Sequence, residues 1–328
     1  MNELEHHPHP PSPSIASRRP FRDHGRCPQR RSGALIIVVV ACLAGVRAAG
    51  AQQIAPREFP DPLEARRVPA ARPPLDTRRD LVVGATAIAV TAAVSHFDRR
   101  SAAFLQAPRL QRMSDLQSAA RDAAFMGGPG PFLLGGVLFA GGRLTSSDAV
   151  ADVGIHLTEA LVMAATINGV AKGVSGRALP QASADPDNIE LGRGFHRGNG
   201  PYVSFPSGHT AAAFAMAAVL SGETGRLHPQ LSRFVTPLAY GGASVIGLAR
   251  MYQNVHWASD LPIAALIGTW SGMAVVSHQH EHPRNWIDRW LLNTSAAPAG
   301  HGGVMLTWSM PAIGGAASVP PNGHWAAR

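Results

Sequence analysis

The chain has 328 residues, 45% of them apolar but only 6% aromatic, with 34 glycines, 27 prolines and a formal net charge of +8. Small apolar residues favour closely approaching helices over a bulky aromatic core, and the positive balance suits anionic ligands or a membrane surface. No basic patch is interleaved with aromatics, which argues against nucleic acid. The two cysteines, Cys27 and Cys42, leave the rest of the chain without disulfide or thiolate metal chemistry.

Residues 1–51 read as a leader. A polar, basic stretch precedes the apolar run Ala34–Val46, and Ala49-Gly50-Ala51 follows as a small-residue cleavage site, the layout of a secretory signal peptide. Processing at Cys42, after Val39-Val40-Ala41, is the alternative. Residues 52–79 are rich in Pro and Arg, lack periodicity and read as a linker.

Six helical segments are predicted between 80 and 280: Leu81–Ser95, residues 123–141, Ala149–Ala171, Ser207–Ser221, Arg233–Arg250 and Ser259–His278. The amphipathic stretch Ala102–Ala123 is a further helical candidate. From 281 to 328 the chain becomes an irregular Gly/Pro/Ala-rich tail with one strand-like run, Val304–Met310. The expected fold is an all-α six-helix bundle with a short irregular C-terminal tail.

Three patterns sit at the ends of these helices. Lys172 opens the first, Lys172-Gly173-Val174-Ser175-Gly176-Arg177-Ala178-Leu179-Pro180, and is the one lysine among 29 basic residues. A compact ammonium is evidently wanted there rather than another guanidinium. The second, Pro206-Ser207-Gly208-His209, begins a helix, where free N–H groups and the dipole favour an anion and Gly208 permits close approach. Taken alone it is as often an ordinary helix start. In the third, His256 and Asp260 are four apart and share a helix face. A carboxylate there fixes the imidazole tautomer and leaves the other nitrogen free to attack phosphorus; taken alone, the pair is as often purely structural. Arg250 offers a planar fork for phosphate oxygens, or simply satisfies a helix C-terminus. Alternate helix ends meet at one face of a bundle, so the three patterns are expected in one pocket at one end.

In this order and spacing the patterns resemble the type-2 phosphatidic acid phosphatase and haloperoxidase superfamily. That family's motifs are Lys, six residues, then Arg-Pro; Pro-Ser-Gly-His; and Ser-Arg, five residues, His, three residues, Asp. The resemblance covers roughly residues 80–280. It implies a phosphoric monoester hydrolase of the acid phosphatase or lipid phosphate phosphatase kind that uses no metal and no cofactor. His256 would be the nucleophile and form a phosphohistidine, Asp260 would orient it, and His209 would be the general acid and then the base. Lys172, Arg250, Ser207 and the Gly208 N–H would hold the phosphoryl oxygens.

Two positions depart from the pattern. Ala249 stands where Ser is usual, a small-for-small change. Leu179 stands where the second Arg is expected. One lost charge-assisted phosphate contact costs ~2–4 kcal/mol. Arg177 is the residue placed to compensate by binding phosphate; the alternative is a loop cation for Asp185 or Asp187. Leu179 therefore keeps open a weakened phosphate- or lipid-binding membrane protein, and a vanadate-dependent haloperoxidase is the less favoured enzyme. The partner is a phosphate ester or lipid phosphate, and the oligomeric state is left open.

An exported location is expected, periplasmic or membrane, with the site facing outside the cytoplasm. Leu81–Ser95 has 15 residues, short of the ~20 a span needs, whereas the other helices are apolar on most faces. The alternating residues His278, His280 and His282 suit neither a helix face nor a zinc pattern, so a solvated helix end is expected there ahead of the alternative, a metal site.

Overall fold

Ala and Gly dominate the predicted helical segments, and the chain folds into closely approaching helices. The computed structural model describes residues 77–196, 200–282, 294–299 and 303–308. The leader, nearly all of the linker, both cysteines, and Trp286 and Trp290 lie outside the described residues.

Helix α1 (Thr77–Ser95) starts inside the stretch read as linker, with Asp80 in its first turn complementing the dipole. The single amphipathic helix expected over 102–123 is instead three pieces: α2 (Asp98–Leu105), α3 (Pro108–Gln111) and α4 (Ser114–Gly127). Pro108 has no N–H to continue α2 and takes the first position of α3, where none is needed. The predicted segment 123–141 is also broken. Gly127 and Gly128 separate α4 from α5 (Pro129–Leu144), which bend by 53°, and α1 and α2 bend by 61°.

Helix α6 (Asp148–Ser175) is the longest, and it stops where Gly176 takes a left-handed φ of +52°. A Cβ at Gly176 would come within 1.9 Å of Glu190 O. The connection to α7 (Gly208–Leu227) is a long loop laid across the bundle end. Ala178 N donates to Asn188 O, Leu179 N to Pro201 O and Ser204 N to Arg177 O. Helix α8 (Pro229–Tyr252) and helix α9 (Asp260–Glu281) complete the bundle.

Helix α7 is the centre, with α6, α8 and α9 packed around it and α5 against α6. Its buried positions, on two faces, are largely alanine: Ala211, Ala213, Ala215, Ala217 and Ala218. Leu157, Leu161, Val219 and Val276 fill the core between α6, α7 and α9. Glycines set the approach of α9. A Cβ on Gly268 would lie 2.1 Å from Ala211 O, and one on Gly272 would lie 2.6 Å from Ala218 Cβ. This is the small-residue spacing by which helices close without bulky interdigitation.

The outward faces are also apolar. Leu81, Ile88, Leu133, Val162, Leu238 and Leu248 are all more than half exposed, and exposed apolar area on this scale marks contact with a partner or a lipid phase. Helices α6 and α9 are each long and apolar enough to cross a membrane, and each bent pair, α1–α2 and α4–α5, could form one more span. The tail is less irregular than expected: β1 (Thr294–Ala299) pairs antiparallel with β2 (Gly303–Trp308), Thr294 opposite Trp308.

Candidate active site

The three patterns meet at one end of the bundle. Lys172 lies in the last turn of α6, His209 in the first turn of α7, Arg250 in the last turn of α8, and Asp260 opens α9. His209 lies within charge–charge reach of Arg250, His256 and Lys172. His256 lies within the same reach of Lys172 and Arg250.

Asp260 is fully buried and fully bonded. Its Oδ2 accepts from the Trp257 N–H at 2.8 Å and the Ser204 hydroxyl at 2.5 Å, and lies 3.3 Å from His256 Nδ1. That contact holds the His256 ring through Nδ1 and leaves Nε2 as the nitrogen the carboxylate does not engage. The loop holding His256 is fixed by Trp257, whose indole N–H donates to Ala178 O at 2.9 Å. Burial pushes the His256 imidazole below the usual histidine range, against the pull of Asp260.

Arg177 takes neither role expected of it. Its Nη1 donates to Asp260 Oδ1 at 2.6 Å and to Ser259 Oγ at 2.8 Å; Nη2 donates to Asp98 Oδ2 at 2.7 Å, and Nε to Pro186 O at 2.8 Å. Two buried carboxylates, Asp98 and Asp260, hold the guanidinium. Asp185 pairs with Arg99 instead.

Ser207 is buried and caps α7, its Oγ accepting from Thr210 N at 3.4 Å and Thr210 Oγ1 at 2.9 Å. Its own proton is left to donate. The N–H groups of Gly208 and His209 precede the first intrahelical acceptor, Ser207 O, which Ala211 N takes. Lys172 Nζ donates to Val203 O. Arg250 Nη1 donates to Gln253 Oε1 at 2.5 Å, and Gln253 Nε2 holds Ala120 O at 2.9 Å. Arg250 Nε has no hydrogen-bond partner among the described residues. Leu179 is half-buried and brings no charge to the site.

Burial, with Arg250, His256 and Lys172 adding repulsion, pushes the His209 imidazole down to about 4. The ring lies against the α4–α5 junction, and a Cβ on Gly128 would come 3.2 Å from His209 Nε2. Five contributors escaped the sequence reading: Asp98, Asn168, Ser204, Gly128 and Gln253. Asn168 Nδ2 reaches Pro206 O at 3.4 Å. Of these, only the paired glycines before Pro129 left a signal, as a helix break.

This arrangement of two histidines, a buried orienting carboxylate and two cations coincides with a family match. Residues 154–284 match the family model described as PAP2 superfamily. Over that segment the chain is similar to the PAP2 superfamily. The match takes in Lys172, His209, Arg250, His256 and Asp260. A 65-residue stretch is 43% identical to the lipid A 1-phosphatase of Porphyromonas gingivalis, covering 20% of this chain and 14% of the length of that relative. Among solved structures, similarity extends to the transmembrane PAP2 type phosphatidylglycerolphosphate phosphatase from Bacillus subtilis, with 19% identity, 63% of this chain and 98% of that one covered, and a TM-score of 0.45. Aquifex aeolicus LpxE is similar at 24% identity, 53% and 92% coverage, and a TM-score of 0.39.

Proposed function

We propose that the chain is a membrane-embedded phosphatase that hydrolyses a lipid phosphate or related phosphate monoester through a phosphohistidine on His256. The observation that carries this reading is the Asp260–His256 contact set beside His209, Lys172 and Arg250. The apolar outer faces of the helices support a substrate that arrives from the lipid phase. The site facing outside the cytoplasm belongs to the same proposal.

In the first step His256 Nε2 attacks phosphorus, the P–O bond to the leaving group breaks, and His209 gives its proton to the departing oxygen. Asp260 stabilises the imidazole as it gains positive charge. Lys172, Arg250, the Ser207 hydroxyl and the Gly208 N–H hold the equatorial oxygens as charge builds on them. In the second step neutral His209 takes a proton from water, the water oxygen attacks phosphorus, and the P–N bond breaks to release phosphate. Protons and charge balance without a metal ion.

The test is phosphate release by the full chain in detergent with EDTA present, comparing p-nitrophenyl phosphate with phosphatidic acid. Turnover that resists EDTA and disappears in His256→Ala is expected. Turnover unchanged in His256→Ala would overturn the phosphohistidine route.

A second reading, a binder with weakened catalysis, rests on Leu179. Arg177 is a poor substitute for the missing Arg, because four of its five donors go to Asp98, Ser259, Asp260 and Pro186.

A further inference from the structure

His156, Glu223 and His280 come from three different helices and converge in the interior of the bundle. His156 and Glu223 are buried, and His280 is half-buried at the last turn of α9. His156 Nδ1 lies 2.7 Å from Glu223 Oε1, and His280 Nε2 lies 3.0 Å from Oε1 and 3.2 Å from Oε2 of the same carboxylate. The two rings meet edge to face, with centroids 5.4 Å apart. His280 is thus not the solvated helix-end residue expected of it. Its neighbours His278 and His282 are, stacked on one another at 4.5 Å.

This cluster is remote from the phosphate site. His156 precedes Lys172 by 16 residues on α6, Glu223 follows His209 by 14 on α7, and His280 follows Asp260 by 20 on α9. At 1.5 Å per residue these intervals are roughly 24, 21 and 30 Å, so the cluster occupies the opposite end of the same three helices. Neither the catalytic scheme nor the phosphate contacts use it.

We propose that His156, Glu223 and His280 form a binding site for one divalent transition metal ion, of which Zn2+ is the best chemical match. Two imidazoles and one carboxylate are a recurring zinc donor set that leaves a fourth position for water. The three donor atoms lie within 4.8 Å of one another. Bond lengths of about 2.0–2.2 Å set tetrahedral donors roughly 3.4 Å apart, so the side chains need move only by fractions of an ångström to well over one to enclose an ion. Charge points the same way. The charges that act on His156 are all carboxylates: Glu223, Asp152 and Glu159. A divalent ion held by the two imidazoles would offset that carboxylate charge inside an apolar bundle. The ion would tie α6, α7 and α9 together at the end away from catalysis.

The test is zinc binding by the untagged full chain in detergent, by titration against a chromogenic competitor and by metal analysis after desalting. About one equivalent is expected, with affinity falling by more than about tenfold in His156→Ala, His280→Ala and Glu223→Gln, since even outer partners of a zinc ligand are worth about 10–100-fold. Zinc should also raise the thermal midpoint of the parent and not of Glu223→Gln. That variant keeps a hydrogen-bond acceptor, so a purely hydrogen-bonded network would tolerate it. His278→Ala should bind like the parent. Equal affinity in the parent and Glu223→Gln, loss in His278→Ala alone, or no binding by the parent would overturn the site. Phosphate release does not enter these readouts, so the failure of either proposal is distinguishable from that of the other.

Discussion

Arg177 Nη1 donates to Asp260 Oδ1 at 2.6 Å, on the carboxylate oxygen that His256 does not use. The guanidinium then bridges to Asp98, whose Oδ1 accepts from Ser259 N at 2.9 Å and whose Oδ2 accepts from Ser259 Oγ at 2.6 Å. His256, the proposed nucleophile, is therefore held by a buried relay running from α2 through the α6–α7 loop to α9. Arg177→Ala would strand two buried carboxylates. Breaking a buried pair by removing one partner costs about 3–5 kcal/mol, so a marked fall in the thermal midpoint is expected. Arg177→Lys supplies charge without the planar fork and should lower kcat more than it raises KM. A raised KM with unchanged kcat would instead assign Arg177 to substrate binding.

The pH dependence should expose His209. Its imidazole is pushed to about 4 by burial and by the cations around it. A group with a lowered pKa is protonated only below that value, so as a general acid in the free enzyme it gives a kcat/KM that falls as pH rises above about 4. Bound phosphate offsets Lys172 and Arg250 and restores proton affinity. The descending limb of kcat, which reports the complex, should therefore lie at higher pH than that of kcat/KM. The substrate's own ionisation near about pH 6 is separated by running His209→Asn beside the parent. Superimposable limbs in the two proteins would remove His209 from the acid role.

What could be read from the chain, and what could not, divides by sequence separation. His256 and Asp260, or Ser207 and His209, carry their relationship in a spacing of a few residues, and helix periodicity placed them at helix ends. Asp98 and Ser259 are 161 residues apart, and nothing local distinguishes Asp98 from the other acids at helix starts. Arg177 was legible as a cation but not as a buried one, because its partners come from two distant elements. The apolar runs were legible as helices. Pro108 and Gly127-Gly128, which break them, were present in the text but outweighed by the hydrophobic pattern. The cluster at His280 hid behind an alternating His pattern of which only one residue turns inward.

The Gly127-Gly128 break has a catalytic consequence. A Cβ at Gly128 would sit 3.2 Å from His209 Nε2 and 3.2 Å from Ala124 O, tight enough to shift the ring proposed as the general acid. Misplacement by an ångström can cost about 100-fold. Gly128→Ala should lower kcat by at least about tenfold while leaving binding of vanadate, measured as competitive inhibition, close to that of the parent. Equal losses of kcat and vanadate affinity would mean a collapsed pocket rather than a displaced acid.

Leu179→Arg is the most direct test of how the site is tuned. The backbone there is already fixed, with Leu179 N donating to Pro201 O at 2.7 Å and the Ala178 carbonyl held by Trp257. An arginine would add one charge-assisted contact on developing negative charge, worth ~2–4 kcal/mol. If the position faces the phosphoryl group, kcat/KM rises roughly 30-fold or more, with most of the gain in kcat. The same substitution should tighten vanadate, which imitates the transition state, more than it tightens phosphate. An unchanged rate would show that Arg250 and Lys172 already satisfy the oxygens, and that Leu179 serves instead as apolar surface for the substrate's leaving group.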